Sequence, residues 1–364
     1  MNHARSSSIK AIGWALVTIS LFSCAPAKWM ENPGAGGNTG SGAPDPINPA
    51  PRPSATPVQG PKAIERFEQD QNANKIDILI VNDDSSSMEE EQKKMAERFG
   101  SFVSALSTID YRIAMTTTDL QTPKWNQNGR IMEWSGTGTK VLTPKTPNAE
   151  GAFRSTIKRN ETIGCRQRSS GKDCPSGNEE PLRATLLAID QRANANKDLF
   201  RVGVDFVVVV LSDEDELSDG PVTATKPIEV TEGFEAAFGV SKRLAVHGII
   251  VKPGDVACKA EQEKQIKEPG GAFYGQHVSE LAALTNGTTG SICATDYAKN
   301  LSAISDQVRK LVSSFDLQKE PLEGSVEVNL TPNDTIAFHV EGKRVIFARP
   351  PNAGTRVEIS YSVK

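Results

Sequence analysis

The sequence predicts a doubly wound α/β fold with a mostly parallel sheet, followed by a small C-terminal antiparallel β module. Three observations predict it. Residues 76–81 and 205–211 are short apolar runs, each ending in a polar cluster, as expected of strands buried on both faces of a parallel sheet. Segments with helical spacing alternate with such runs from about residue 75 to residue 315, the order that covers a parallel sheet with helices. After about residue 325 the pattern changes to short stretches of two-residue alternation separated by Pro, Asn and Gly, which reads as antiparallel strands.

After the strand at 76–81, residues 89–108 carry Met95, Phe99, Phe102, Val103 and Leu106 as an apolar helical stripe. Residues 111–118 form a Thr-rich second strand. Residues 119–178 show no strong period; Asn128-Gly129 suits a tight turn, and so long an irregular stretch reads as a functional or disulfide-braced surface insertion. Residues 181–193 place Leu182, Leu186 and Ile189 on one helical face, with Pro181 in the first turn. The run at 205–211 is the strongest strand and must be central. A helix at 232–243, a strand at 244–251, a helix at 277–285, a short strand near 291–293 and a helix at 297–315 are expected next. The C-terminal strands fall at 325–330, 335–340, 344–348 and 356–363.

The N-terminus reads differently. Arg5 and Lys10 precede an apolar stretch too short to span a bilayer, so residues 1–23 read as an export signal. The box Leu21-Phe22-Ser23-Cys24 resembles that of bacterial lipoproteins, and the resemblance implies lipidation of Cys24 and sorting to the outer membrane. An ordinary secretory signal is the alternative. Residues 24–61 are rich in Pro, Gly, Ser and Asn and read as a flexible tether. The rest of the chain suits one large domain or a large and a small one: 62–316 with the insertion at 119–178, then the β module at 317–364. A net charge of −4 with both signs interspersed gives no sign of a nucleic-acid partner. The four cysteines after Cys24 point to disulfides in an exported chain. Of three possible connectivities, proximity favours Cys165–Cys174 and Cys258–Cys293. A zinc site is the other option, without a histidine at ligand spacing.

The polar clusters carry the chemistry. The first strand runs into Asp83, Ser85 and Ser87 in a D-x-S-x-S pattern, at the strand end where open α/β sheets bind ligands. One carboxylate and two hydroxyls in five residues can cradle a hard divalent cation. The strand at 205–211 ends in Ser212-Asp213, and the second strand in Thr117-Thr118-Asp119. In these motifs the chain resembles von Willebrand factor A (VWA) domains with their metal-ion-dependent adhesion site. Together with Glu179-Glu180-Pro181-Leu182, it resembles a group of exported bacterial VWA-like lipoproteins. The resemblance implies that Ser85 and Ser87 bind one Mg²⁺ or Ca²⁺ through their hydroxyls. Asp83 and Asp213 would act mainly through waters, and an acidic side chain of a partner protein would complete the shell. The family's usual third-loop Thr is replaced here by a carboxylate, Glu180 by simple register or Glu179. It would tighten cation binding and could take the place of the partner's carboxylate. The plainer alternative is that Asp84, Ser85 and Ser87 only cap the following helix. Glu214, Asp215 and Glu216 read as a solvated acidic loop.

Enzymatic readings find little. His247, His277 and His339 are widely spaced, and no G-x-S-x-G, H-E-x-x-H or phosphate-loop pattern occurs. The expectation is therefore a lipid-anchored protein of the cell envelope that binds a protein partner through a divalent cation. A metal-braced assembly scaffold whose partner binding ignores the ion is the alternative.

Overall fold

The structure is a computed structural model that describes residues 60–69, 72, 74–167, 173–217, 223–239, 242–266 and 271–364. Cys24, the expected export signal and nearly all of the expected tether lie outside the described residues. The elements are β1 (Lys62–Glu68), β2 (Lys75–Asn82), α1 (Glu89–Ala105), β3 (Asp110–Thr117), α2 (Ala149–Ile157), α3 (Asn160–Gln167) and α4 (Pro181–Asp190). They continue with β4 (Phe206–Ser212), α5 (Pro227–Phe238), β5 (Leu244–Ile250), α6 (Val256–Ile266), α7 (Gln276–Leu284), β6 (Thr289–Ser291) and α8 (Ala298–Val312). The chain ends in β7 (Ser314–Asp316), β8 (Glu327–Thr331), β9 (Phe338–Glu341), β10 (Arg344–Phe347) and β11 (Arg356–Ser362). Among the described residues no helix is long and apolar enough to cross a membrane.

The α/β fold expected from the sequence is present. Five parallel strands lie in the order β3-β2-β4-β5-β6. Alternate residues of β2, β3, β4 and β5 enter two cores. Ile76, Ile78, Ile80, Val207, Val209 and Leu211 pack with α1, α2 and α8. Leu79, Val81, Val208 and Val210 pack with α4, α5 and α7 on the opposite face. The connection leaving β2 leads to β3 on one flank, whereas that leaving β4 leads to β5 on the other. Their carboxyl ends thus flank a topological switch point, the place where such sheets hold ligands.

At the opposite, N-terminal end of the strands, ion pairs tie the sheet together, the one on Asp77 buried. Arg201 binds Asp77 at 2.7 Å and Asp110 at 3.0 Å, and Arg243 binds Asp205 at 2.6 Å. Burial pushes the neighbouring Lys242 ammonium down to about 8, against the pull of Asp77 and Asp205.

Several expectations need correction. Residues 119–178 are not an irregular surface insertion: they contain α2 and α3 and contribute Trp134, Leu142 and Phe153 to the core. Phe153 stacks on Phe99 of α1 with ring centroids 3.5 Å apart, and Trp134 stacks on Phe153 at 5.5 Å. α5 begins at Pro227, five residues before the expected start, because the Glu229 carboxylate accepts the Lys226 backbone N–H at 2.6 Å and closes the first turn. α6 went unread because its apolar residues do not gather on one face. The β module draws on more than residues 317–364. β1 pairs antiparallel with β11, in a sheet ordered β1-β11-β8, and β7 joins a second sheet ordered β7-β10-β9. The sequence boundary separated β1 from its partner because the two lie at opposite ends of the chain, beyond the reach of local pattern.

Two disulfides join Cys165 to Cys174 and Cys258 to Cys293. Both lie at the carboxyl end of the sheet, in the connections that follow β3, β5 and β6.

Candidate functional site

The site forms where the chain leaves β2. The Asp83 backbone N–H still donates to Leu211 of β4 at 3.0 Å, which fixes the two strand ends side by side. The chain then turns through a single 3₁₀ turn, Ser86–Met88, into α1. Asp83 is fully buried, and both its carboxylate oxygens are held by the protein. Oδ1 accepts the Ser85 backbone N–H at 2.8 Å, and Oδ2 accepts the Ser212 hydroxyl at 2.7 Å. Ser85 and Ser87 share a hydroxyl hydrogen bond of 2.8 Å, and Ser87 donates to Asp213 Oδ1 at 3.1 Å. One continuous polar chain therefore joins the loop after β2 to the end of β4. At neither helix start does a side chain form a capping hydrogen bond. The Ser87 hydroxyl is turned toward Asp213, and the Ser85 hydroxyl pairs with it.

Behind this chain stands Gln92, which sequence reasoning missed. Its amide donates to the Asp83 carbonyl at 2.9 Å and to Thr162 Oγ1 at 3.1 Å, and its oxygen accepts the Arg159 N–H at 2.8 Å. Thr162 in turn donates to the Asp84 carbonyl at 2.8 Å. α3 is thereby fastened to the back of the loop. The signal was present: Gln92 is a polar residue on the buried stripe of α1, between Met88 and Met95.

The Thr117-Thr118-Asp119 stretch closes a third side. Asp119 donates its N–H to Asp84 Oδ1 at 3.3 Å and accepts the Ser176 N–H at 3.1 Å, while Glu180 donates its N–H to the Thr118 carbonyl at 3.2 Å. The Thr118 hydroxyl donates to Glu179 Oε2. Of the two candidate carboxylates, Glu179 is thus the one that joins the acidic cluster. Glu180 turns to Gln121 Nε2 at 3.2 Å and to Arg183 at 3.4 Å. The acidic loop after β4 is buried, not solvated as expected. Glu216 accepts the Leu182 N–H at the start of α4 at 2.6 Å, and Asp215 binds the His277 ring at 2.7 Å and caps α7. These bonds bring the loop inward, which composition could not show.

The electrostatics follow from burial. Loss of solvent raises Asp83 to about 6, despite the hydrogen bonds from Ser212 and Ser85. Burial first, and then the Asp83 charge, raise Asp84 and Asp213 well above the carboxylate range. Glu179 rises for the same reasons, with Asp84 and Glu214 adding to the effect. Among the described residues none of Asp83, Asp84, Glu179 and Asp213 is joined in a salt bridge. Asp84 Oδ2 and Glu179 Oε1 are buried and accept no hydrogen bond. Buried anionic oxygens without partners are costly, and a bound cation is one way to satisfy them. The donor set of carboxylate and hydroxyl oxygens fits a hard divalent ion. Among the described residues no group of three or more His, Cys, Asp or Glu is arranged to hold a metal by itself. Here the hydroxyls of Ser85 and Ser87 would have to complete the set.

Comparison with known proteins gives only remote likeness. No family profile matches the chain, and no curated protein sequence matches it. Among solved structures it is similar to the pilus adhesin SpaC from Lactobacillus rhamnosus GG in its open conformation. That match has 11% identity and a TM-score of 0.28, covering 83% of this chain and 41% of that one. It is also similar to proximal thread matrix protein 1 from the mussel byssus, solved with a zinc-occupied MIDAS motif. There the identity is 14% and the TM-score 0.34, over 69% of this chain and 50% of that one. The N-terminal domain of TFIIH p34 matches at 11% identity and a TM-score of 0.35, over 64% of this chain and 97% of that one. The chain thus spans half or less of the length of SpaC and the byssus protein. At these scores the likenesses identify neither family nor function.

Proposed function

We propose that this chain is an envelope protein, anchored through a lipidated Cys24, that binds a protein partner through one divalent cation. Asp83, Ser85, Ser87 and Asp213 would hold the ion, Mg²⁺ or Ca²⁺, with Glu179 close by. The bound ion supplies positive charge to which an acidic side chain of the partner can coordinate. The observation that carries the reading is the run of hydrogen bonds from Ser85 through Ser87 to Asp213. It gathers hydroxyls and carboxylate from two adjacent strand ends and leaves those hydroxyls out of helix capping. The chain's own residues do the positioning. Ser212 and the Ser85 N–H fix the Asp83 carboxylate, and Gln92 fixes the loop behind it.

The metal-braced scaffold is the second reading, and the place of Glu179 favours it. A carboxylate from the chain itself beside Asp83 and Asp84 can take the position a partner's acid would need. Titration calorimetry of the purified protein with MgCl₂ and CaCl₂, followed by capture from envelope extracts with and without chelator, separates the two. Metal binding with chelator-sensitive capture supports adhesion through the ion. Metal binding with chelator-indifferent capture supports the scaffold. An Asp83→Ala protein that folds and keeps full metal affinity would remove the site assignment altogether.

A further inference from the structure

β9 ends one sheet of the β module, and its outer edge is bare. It pairs with β10 alone, Phe338 opposite Phe347 and Val340 opposite Val345. Just beyond the pair, the Ala348 N–H donates to the Ala337 carbonyl at 2.8 Å. Antiparallel pairs alternate between bonded and non-bonded residues, so Ala337, His339 and Glu341 turn their main chains toward β10. Phe338 and Val340 turn theirs outward. Among the described residues no main-chain group from outside the sheet bonds to either. Their side chains lie on the same face as Val345 and Phe347, which are buried in the module's core. Yet Phe338 and Val340 are each 37% exposed. The core is therefore left open along β9, and an apolar edge of this kind accepts a further strand.

The strand's own sequence says which strand fits. On the other face, His339 Nε2 lies 3.2 Å from Glu341 Oε1, and Lys310 donates to the same oxygen at 2.8 Å. A second β9 laid antiparallel must bring outward-bonding residues opposite one another, so its possible registers differ by steps of two. Phe338 opposite Val340 sets the two His339 rings against each other. Val340 opposite Gly342 sets the two Glu341 carboxylates against each other, which is unfavourable. Val340 opposite Val340 puts each His339 against the Glu341 of the other copy and covers apolar surface with apolar surface. That register alone pairs unlike polar groups throughout.

We propose that β9 is a self-association edge. Two copies of this chain join through antiparallel β9 strands with Val340 against Val340, making one six-stranded sheet from two sheets of three. The cation site plays no part in this contact, so the inference stands apart from that reading.

Sedimentation equilibrium of the purified chain tests it, at concentrations from about 10 µM to about 500 µM. A contact through four residues of each copy is small, so its dissociation constant should fall in that range. The mass should pass from that of one chain to that of two. Val340→Pro removes an N–H that β10 does not use, so the fold should persist while association is lost. His339→Glu sets carboxylate against carboxylate and should weaken association about tenfold or more. Adding Glu341→Lys to it restores unlike pairs and should recover the dimer. A chain that stays monomeric throughout the range overturns the inference. So does a dimer that survives in folded Val340→Pro or is indifferent to His339→Glu. Should Val340→Pro fail to fold, the charge variants decide: a double variant that does not regain what His339→Glu lost overturns the register and the contact with it.

Discussion

The stabilisation that a divalent ion gives this protein should shrink as the pH falls from 7 to 5. Without an ion, burial raises Asp83 to about 6, above its value of 3.8 in an open chain. The sign is that of a raised acid: its contribution to stability is fully present below pH 3.8 and is lost as the pH rises through about 6. An ion bound beside Asp83 requires the ionised form and reverses that preference. About nine-tenths of Asp83 is ionised at pH 7 and about one-tenth at pH 5, so apparent affinity should fall about tenfold. Asp213 and Glu179 are displaced in the same direction and steepen the loss. With the ion at about a thousand times its dissociation constant at pH 7, stabilisation is about 4 kcal/mol, falling to about 3 kcal/mol or less at pH 5. The assay is thermal unfolding of resin-stripped protein with and without added MgCl₂ or CaCl₂ at each pH. Resin stripping is used because common chelators weaken in acid. Taking the difference at each pH cancels every group that does not meet the ion, including His247. A metal-induced shift that stays constant from pH 7 to 5, or grows, would refute the reasoning.

Other outcomes can be checked separately. Burial lowers His247 to about 4 in the sheet, so the fold keeps it neutral and the unfolded chain takes the proton first. Its contribution is present above pH 6.5 and is lost as the pH falls toward 4, by about 3 kcal/mol; subtracting the profile of His247→Gln from that of the unaltered protein in denaturant melts should reveal it. Gln92→Ala strips partners from the Asp83 carbonyl, Thr162 and Arg159; about 2–3 kcal/mol should be lost in urea unfolding, and metal affinity with it. Phe153→Ala removes the ring stacked on Phe99, and chemical denaturation should register about 3–5 kcal/mol. Arg201→Met leaves Asp77 buried with only Lys242, at 3.9 Å, as a cationic partner. It should destabilise by about 3–5 kcal/mol without altering metal affinity, as the site lies at the other end of the strands.

How far the sequence carried can be seen residue by residue. The central strand was legible because Phe206–Leu211 is an unbroken apolar run with few other homes, and β2 because only Asp77 interrupts its apolar residues. α2 and α3 were not, since their apolar residues are few and Phe153 finds its ring partners only in three dimensions. At the site, Asp83, Ser85, Ser87 and Asp213 announce themselves by their positions at strand ends. The choice between Glu179 and Glu180 could not be made from register. In the structure Glu179 meets the Thr118 hydroxyl, whereas Glu180 meets Gln121 and Arg183. In the sequence Glu91 looks like an ordinary first-turn acid of α1, and only packing shows that it points inward.

The two ends of the sheet are fastened by different chemistry. Where the strands begin, the ties are ionic: Arg201 with Asp77 and Asp110, and Arg243 with Asp205. Where they end, around the acidic loops, the ties include covalent bonds that close intervals of 9 and 35 residues. By loop-closure entropy these are worth about 3 and about 4 kcal/mol. Salt and reductant therefore act on opposite poles of the same domain. Reductant should loosen the pole with the clustered carboxylates first and leave the ionic pole closed. Where the surroundings are oxidising, the loops that must hold mutually repelling charges close together do not depend on those charges for their shape.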